Sequence, residues 1–146
     1  MPMLSRGLFA AGLGGIVSGV LLIAARKLSA GSFENLHPDT LQIFAPVFAV
    51  AAIVVPGVLV GLLARQRSLA VGLVAGLIGW VIAYVVGHET MSISAGSWFP
   101  EQRFLPALAL EALEVILATS AVAVWVAYLY LSHWSPNNRF ERSRHA

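Results

Sequence analysis

The sequence contains no cysteine, which removes disulfide scaffolds, thiolate metal sites and thiol nucleophiles together. Charge is nearly as scarce. Nine Lys and Arg and seven Asp and Glu make up 11% of 146 residues, against about 25% in an ordinary soluble domain. So few charges cannot cover a soluble domain whose side chains are 58% apolar,. The same figures exclude a disordered chain, which needs low hydrophobicity and high net charge. A net charge of +2, scattered along the chain, indicates no nucleic-acid partner. Alternating apolar and polar residues are also missing, and with them a lipid-facing β-barrel. What remains is an integral membrane protein, with the lipid bilayer as its first partner.

The few charges divide the chain. None occurs between Arg6 and Arg26, from Thr40 to Ala64, from Ser68 to Gly87, or from Val115 to Asn138. Each gap holds the ~20 apolar residues that carry a helix across roughly 30 Å of hydrocarbon. The expected fold is all-α and polytopic, with four transmembrane helices at about 7–25, 41–64, 68–87 and 107–132 in an up-down bundle. A single domain over 1–134 would carry a short basic tail, 135–146. With both termini cytoplasmic, Arg6, Arg65, Arg67, Arg139, Arg142 and Arg144 fall inside, and Arg26, Lys27 and Arg103 outside. That is the orientation the basic excess favours. A cleaved signal peptide fits the first helix poorly, because its apolar run exceeds the roughly 7–15 residues of a signal.

Arg65-Gln66-Arg67-Ser68 alone joins the second and third helices, which predicts an antiparallel hairpin. The longest connection runs from His88 to about Pro106; Trp98 and Phe99 in it suit an interfacial anchor, and Pro106 suits a first helical turn,. Trp125, Tyr128, Tyr130 and Trp134 read as an aromatic belt,. Small residues recur at helical spacing: Ala11, Gly15 and Gly19, then Gly57 and Gly61, then Gly72, Gly76, Gly79, Ala83 and Gly87. Such ladders let backbones approach, either within the bundle or across a dimer seam, and packing within the bundle is the favoured expectation. Pro56 removes a hydrogen bond near the middle of helix two and crowds the carbonyl of Ala52, so a kink is expected there,.

Glu111 and Glu114 are the candidate proton or cation site. Their i, i+3 spacing sets both on one side of helix four, and an acid within a span is a functional hypothesis by default,. An interfacial position is the alternative, with the helix dipole and Arg103, Arg26 or Lys27 as counter-charges,. His88 and Glu89, with His37 and Asp39 in the other outer loop, are candidate outer-face ligands, although no metal-binding spacing is present and no cofactor is implied,. Neither a nucleophile elbow nor a phosphate-binding glycine loop occurs, so no catalytic residue is expected. The polar groups inside the helices are Ser18, Gln42, Tyr84, Thr119 and Ser120.

The segment Pro56-Gly57-Val58-Leu59-Val60-Gly61-Leu62-Leu63-Ala64-Arg65-Gln66-Arg67, continuing through Gly72, Gly76 and Gly79, resembles the central hairpin of small, largely uncharacterised bacterial four-helix inner-membrane proteins. The resemblance implies a multi-pass protein of the bacterial cytoplasmic membrane and supplies no functional residue. Two other four-helix families of similar length do not fit. The helix Asn and phenylalanine pair of fluoride channels have no counterpart here, nor does the helix-one Glu of small multidrug transporters. The expected function is that of a packing or accessory subunit, self-associating or bound to an unidentified membrane partner. The alternatives are a proton- or cation-linked carrier or channel using Glu111 and Glu114, and a membrane enzyme with an outer-face metal site.

Overall fold

The structure is a computed structural model that describes residues 3–29, 38–87 and 105–134. These residues form helices only: α1 (Met3–Ser29), α2 (Pro38–Ala64), α3 (Ser68–Gly87) and α4 (Leu105–Trp134). One 3-10 turn, Arg65–Arg67, joins α2 to α3 in a continuous run. Three stretches are long and apolar enough to cross a membrane: Ser5–Leu28, Ile43–Val86 and Pro106–His133. Three of the four expected boundaries change. The sequence predicts α1 over 7–25, α2 over 41–64 and α4 over 107–132, and each extends further. The charge gaps mark where apolar side chains stop, whereas backbone hydrogen bonding continues through Arg6, Arg26 and Lys27 into the polar layer,.

The register is fixed by contacts at glycines. Along α1, Gly7, Gly15 and Gly19 meet Val71, Ile78 and Ile82 of α3 in ascending order, so these helices run parallel. Gly57 and Gly61 of α2 meet Val122 and Val126 of α4, a second parallel pair. Gly72 and Gly76 of α3 meet Ser120 and Ile116, which makes α3 and α4 antiparallel. Gly14 meets Val60 while Ser18 reaches Ala52, so α1 and α2 are antiparallel as well.

The expected hairpin of α2 and α3 therefore reverses direction, but its arms are not principal partners. Each packs far more extensively on α1 and on α4 than on the other. The cause lies in where the glycines point: those of α2 face α4, and those of α3 face α4 and α1. α2 and α3 thus lie across a diagonal, with α1 and α4 filling the grooves on either side.

Small residues make this closeness possible. Val60, Thr119, Pro56 and Ser18 are the largest fully buried side chains, while Phe9 is 64% exposed, Leu110 70% and Trp125 63%. Bulk on the outside and small residues inside is the arrangement of a protein solvated by lipid, where helices gain by backbone approach rather than by hiding oil from water. Two apolar clusters divide the interior. Ala10, Ala11, Val60, Val71, Ala75 and Ala123 fill the half toward Arg65. Leu22, Ala52, Ala83 and Val115, flanked by Leu21, Ile23 and Trp80, fill the half toward Arg26.

The turn itself is strained. Arg65 has φ of 43°, in the left-handed region that L-residues avoid,. The conformation costs about 1–3 kcal/mol. Its compensation is contact with α4: the guanidinium lies over the Tyr130 ring, 4.4 Å from the centroid, and Nη2 donates to the Tyr130 hydroxyl at 3.1 Å. The Ser68 N–H donates to the Arg65 carbonyl and closes the turn.

Candidate functional site

The described polar residues of the span gather in two places. The first lies in mid-bundle around Pro56. A proline at position 56 has no N–H, so the carbonyl four residues earlier, that of Ala52, loses its helical partner. The Ser18 hydroxyl of α1 donates to that carbonyl at 2.8 Å. Within a span, a hydroxyl from a neighbouring helix is one remedy that permits a proline. α2 accordingly stays helical through both Pro46 and Pro56, from Pro38 to Ala64. Pro56 leaves α2 helical on both sides of it. Its signature is the exchanged hydrogen bond.

The second is at the Arg26 end. From α1 the Arg26 guanidinium reaches across to α3 and α4. Nη1 donates to the Ala83 carbonyl at 2.9 Å, and Nη2 forms an ion pair with the Glu111 carboxylate. The side chains are 16% and 36% exposed, intermediate between a surface pair and a buried one. Arg26 lies twenty residues along α1 from Arg6, about 30 Å of helix, so the pair stands at the opposite end of the bundle from Arg6 and Arg65. Replacing Glu111 by alanine, which strands the Arg26 charge, should lower unfolding stability by about 1–3 kcal/mol, between the values for exposed and buried pairs. Glu111→Gln, which keeps an acceptor, should lose less. Equal losses in the two variants would show that the retained acceptor contributes nothing and that the loss is of the carboxylate charge.

Glu114 is not part of this arrangement. It is exposed on the outer surface of α4, and no ion pair to it occurs among the described residues. The two carboxylates have different surroundings. Three residues advance a helix by about 300°, and the missing 60° carries Glu114 from the seam facing Arg26 onto the face of Leu110, Leu113 and Leu117, all exposed. Its Cα lies nearly one turn farther along α4 than that of Glu111.

The remaining candidates divide as follows. Gly15, Gly19, Gly57, Gly61, Gly72, Gly76 and Gly79 all lie at helix contacts within the chain. A Cβ on Gly76 would stand 2.7 Å from the Ile116 Cα, and one on Gly61 2.6 Å from the Ala123 carbonyl oxygen. Gly14, absent from the expected ladder, belongs to it: its Cβ would meet Val60 at 2.9 Å and Ala75 at 3.3 Å. Adjacent to Gly15, it serves a different neighbour, which single-period counting overlooks. Ser120 donates to the Leu117 carbonyl of its own helix at 2.8 Å. Tyr84 stacks on Trp80 with centroids 5.4 Å apart. His88, Glu89, His37, the Trp98-Phe99 anchor and the tail lie outside the described residues, and among the described residues no group of three or more His, Asp or Glu could hold a metal. No protein family, curated protein or solved structure matches this chain, so what it does has to be read from its own side chains.

Proposed function

We propose that the protein is a small accessory subunit of a membrane assembly, crossing the bilayer four times with both termini on the cytoplasmic side of a bacterial inner membrane. The Ile43–Val86 run is 44 residues long, twice what one crossing needs, and it reverses at Arg65–Arg67. Two crossings account for it. Arg6, Arg65 and Arg67 then share one side, where the basic excess belongs. Self-association and a distinct membrane partner are both open to such a subunit.

The observation that carries the reading is Glu114. An acidic side chain one turn inside a span ordinarily faces the bundle interior or a partner group. Here Arg26 already neutralises Glu111, while Glu114 is exposed on the outer surface of α4. A second polypeptide supplying a basic or hydrogen-bonding group at that depth gives it a partner. Both the oligomer and the hetero-complex are visible in one experiment: light scattering of the full chain purified in mild detergent and again in nanodiscs. The expected protein mass exceeds one chain and falls to one chain in Glu114→Leu. A wild-type particle holding one chain and nothing else would remove the proposal.

A further inference from the structure

Beneath the Arg26–Glu111 pair the interior holds polar atoms that the accessory reading does not use. Trp80 lies one turn along α3 from Ala83, the residue whose carbonyl Arg26 engages. Partly buried, it packs against the cluster formed by Leu22, Ala52, Ala83 and Val115, and its Nε1 is buried with no acceptor among the described residues. The Ser18–Ala52 bond comes next, because Ser18 touches the Gly79 position beside Trp80. One turn inward from Val115 is Thr119, fully buried, whose Oγ1 also has no partner among the described residues. Past it stands the wholly apolar cluster around Val60, Ala75 and Ala123.

Their chemistry defines what can join them. The indole N–H only donates, the threonine hydroxyl does both, and the Ala52 carbonyl keeps a second lone pair after accepting from Ser18. A guest must therefore accept as well as donate. An anion would approach Glu111 on the way in, and a cation would find no carboxylate facing the interior beyond it among the described residues. A neutral molecule of the smallest size remains. Buried polar groups in native proteins are nearly always bonded, and internal water bonds those that the chain leaves over.

We propose that the Arg26 half of the bundle interior is an internal water site, entered past the Arg26–Glu111 pair and closed toward Arg65 by the apolar cluster. Water there bonds Trp80 Nε1 and Thr119 Oγ1, so half the interior is wet and half dry. The site stands whether or not Glu114 has a partner.

Fluorine NMR of the full chain labelled with 5-fluorotryptophan tests it without altering the fold. Trp80 is assigned as the resonance missing from Trp80→Phe, and each resonance is compared in H₂O and D₂O. The expected result is a solvent isotope shift at Trp80, smaller in Thr119→Val, while lipid-soluble spin labels leave the Trp80 line unbroadened. Absence of any isotope shift at Trp80 in the unmutated chain would overturn the proposal. So would strong broadening by the lipid-soluble label, since acyl chains rather than water would then reach the ring. Should Trp80→Phe fail to fold, assignment by Tyr84→Phe, which shifts the stacked neighbour's line, gives the same readings.

Discussion

Removing the Ser18 hydroxyl, as in Ser18→Ala, should cost the bundle about 1–3 kcal/mol, the penalty for a buried acceptor left without a donor. Most of that loss should disappear when Pro56 is also replaced by alanine. The reasoning is a substitution of one donor for another. Proline at 56 denies the Ala52 carbonyl its helical N–H, and Ser18 replaces it from α1 at 2.8 Å. Alanine at that position restores the N–H, after which the hydroxyl is dispensable. Pro56→Ala alone also vacates fully buried volume, so its own effect mixes gain and loss. The coupling between the two changes is the informative quantity. Reversible unfolding of the four proteins in bicelles gives it. If Ser18→Ala costs as much in the Pro56→Ala protein as in the unmutated chain, the hydroxyl is doing something other than satisfying Ala52.

Gly76→Ala should be the most damaging of the single glycine substitutions, together with Gly61→Ala. A methyl group at 76 meets the Cα of Ile116 at 2.7 Å and the Val115 carbonyl oxygen at 3.2 Å, and one at 61 meets the Ala123 carbonyl oxygen at 2.6 Å. Backbone cannot rotate aside as a side chain can. The helices must separate, and contacts up and down the seam loosen with them. Overpacking of this kind reaches about 3 kcal/mol or more. Gly14→Ala should cost less, because the nearest atom is a Val60 methyl. Gly12→Ala should be neutral or stabilising by up to about 1 kcal/mol, since nothing lies within 4 Å and alanine is the better helix former,. Midpoints of thermal unfolding in a common detergent rank the four. A Gly76→Ala protein as stable as Gly12→Ala would mean that the seam against α4 is not close-packed.

The helices were legible because lipid imposes one strict demand, long charge-free runs, and this chain meets it in plain view. The glycine ladders were legible for a similar reason: on helices this apolar, glycine has little use except close approach. The diagonal placement of α2 and α3 was not. A three-residue connection shows that two helices turn back, whereas which neighbour a helix prefers depends on the bearing of Gly57 and Gly61 against that of Gly72 and Gly76. Sequence spacing does not relate bearings on different helices. At the candidate site, Arg26 was one of three counter-charges open to Glu111, and only tertiary placement selects it. The i, i+3 interval between Glu111 and Glu114 leaves about 60° between side chains, and spacing alone does not tell that Arg26 meets the first while the second is exposed. The polar mid-bundle was half legible: Pro56 announces a stranded carbonyl at Ala52, but not that Ser18, 34 positions away along the chain, is level with it.

The diagonal arrangement also sets an order in time. Ribosomes deliver α1, α2 and α3 first, and these three already make most of one another's contacts. They leave a slot walled by Gly57 and Gly61 on one side and by Gly72 and Gly76 on the other, with bare peptide backbone facing acyl chains. Until α4 is translated, lipid must occupy that slot. Seating α4 is therefore a displacement of lipid from a smooth channel, followed by two arginine latches, Arg65 on Tyr130 at one end and Arg26 on Glu111 at the other. A nascent chain held before that step is the form most open to capture by chaperones or proteases of the membrane.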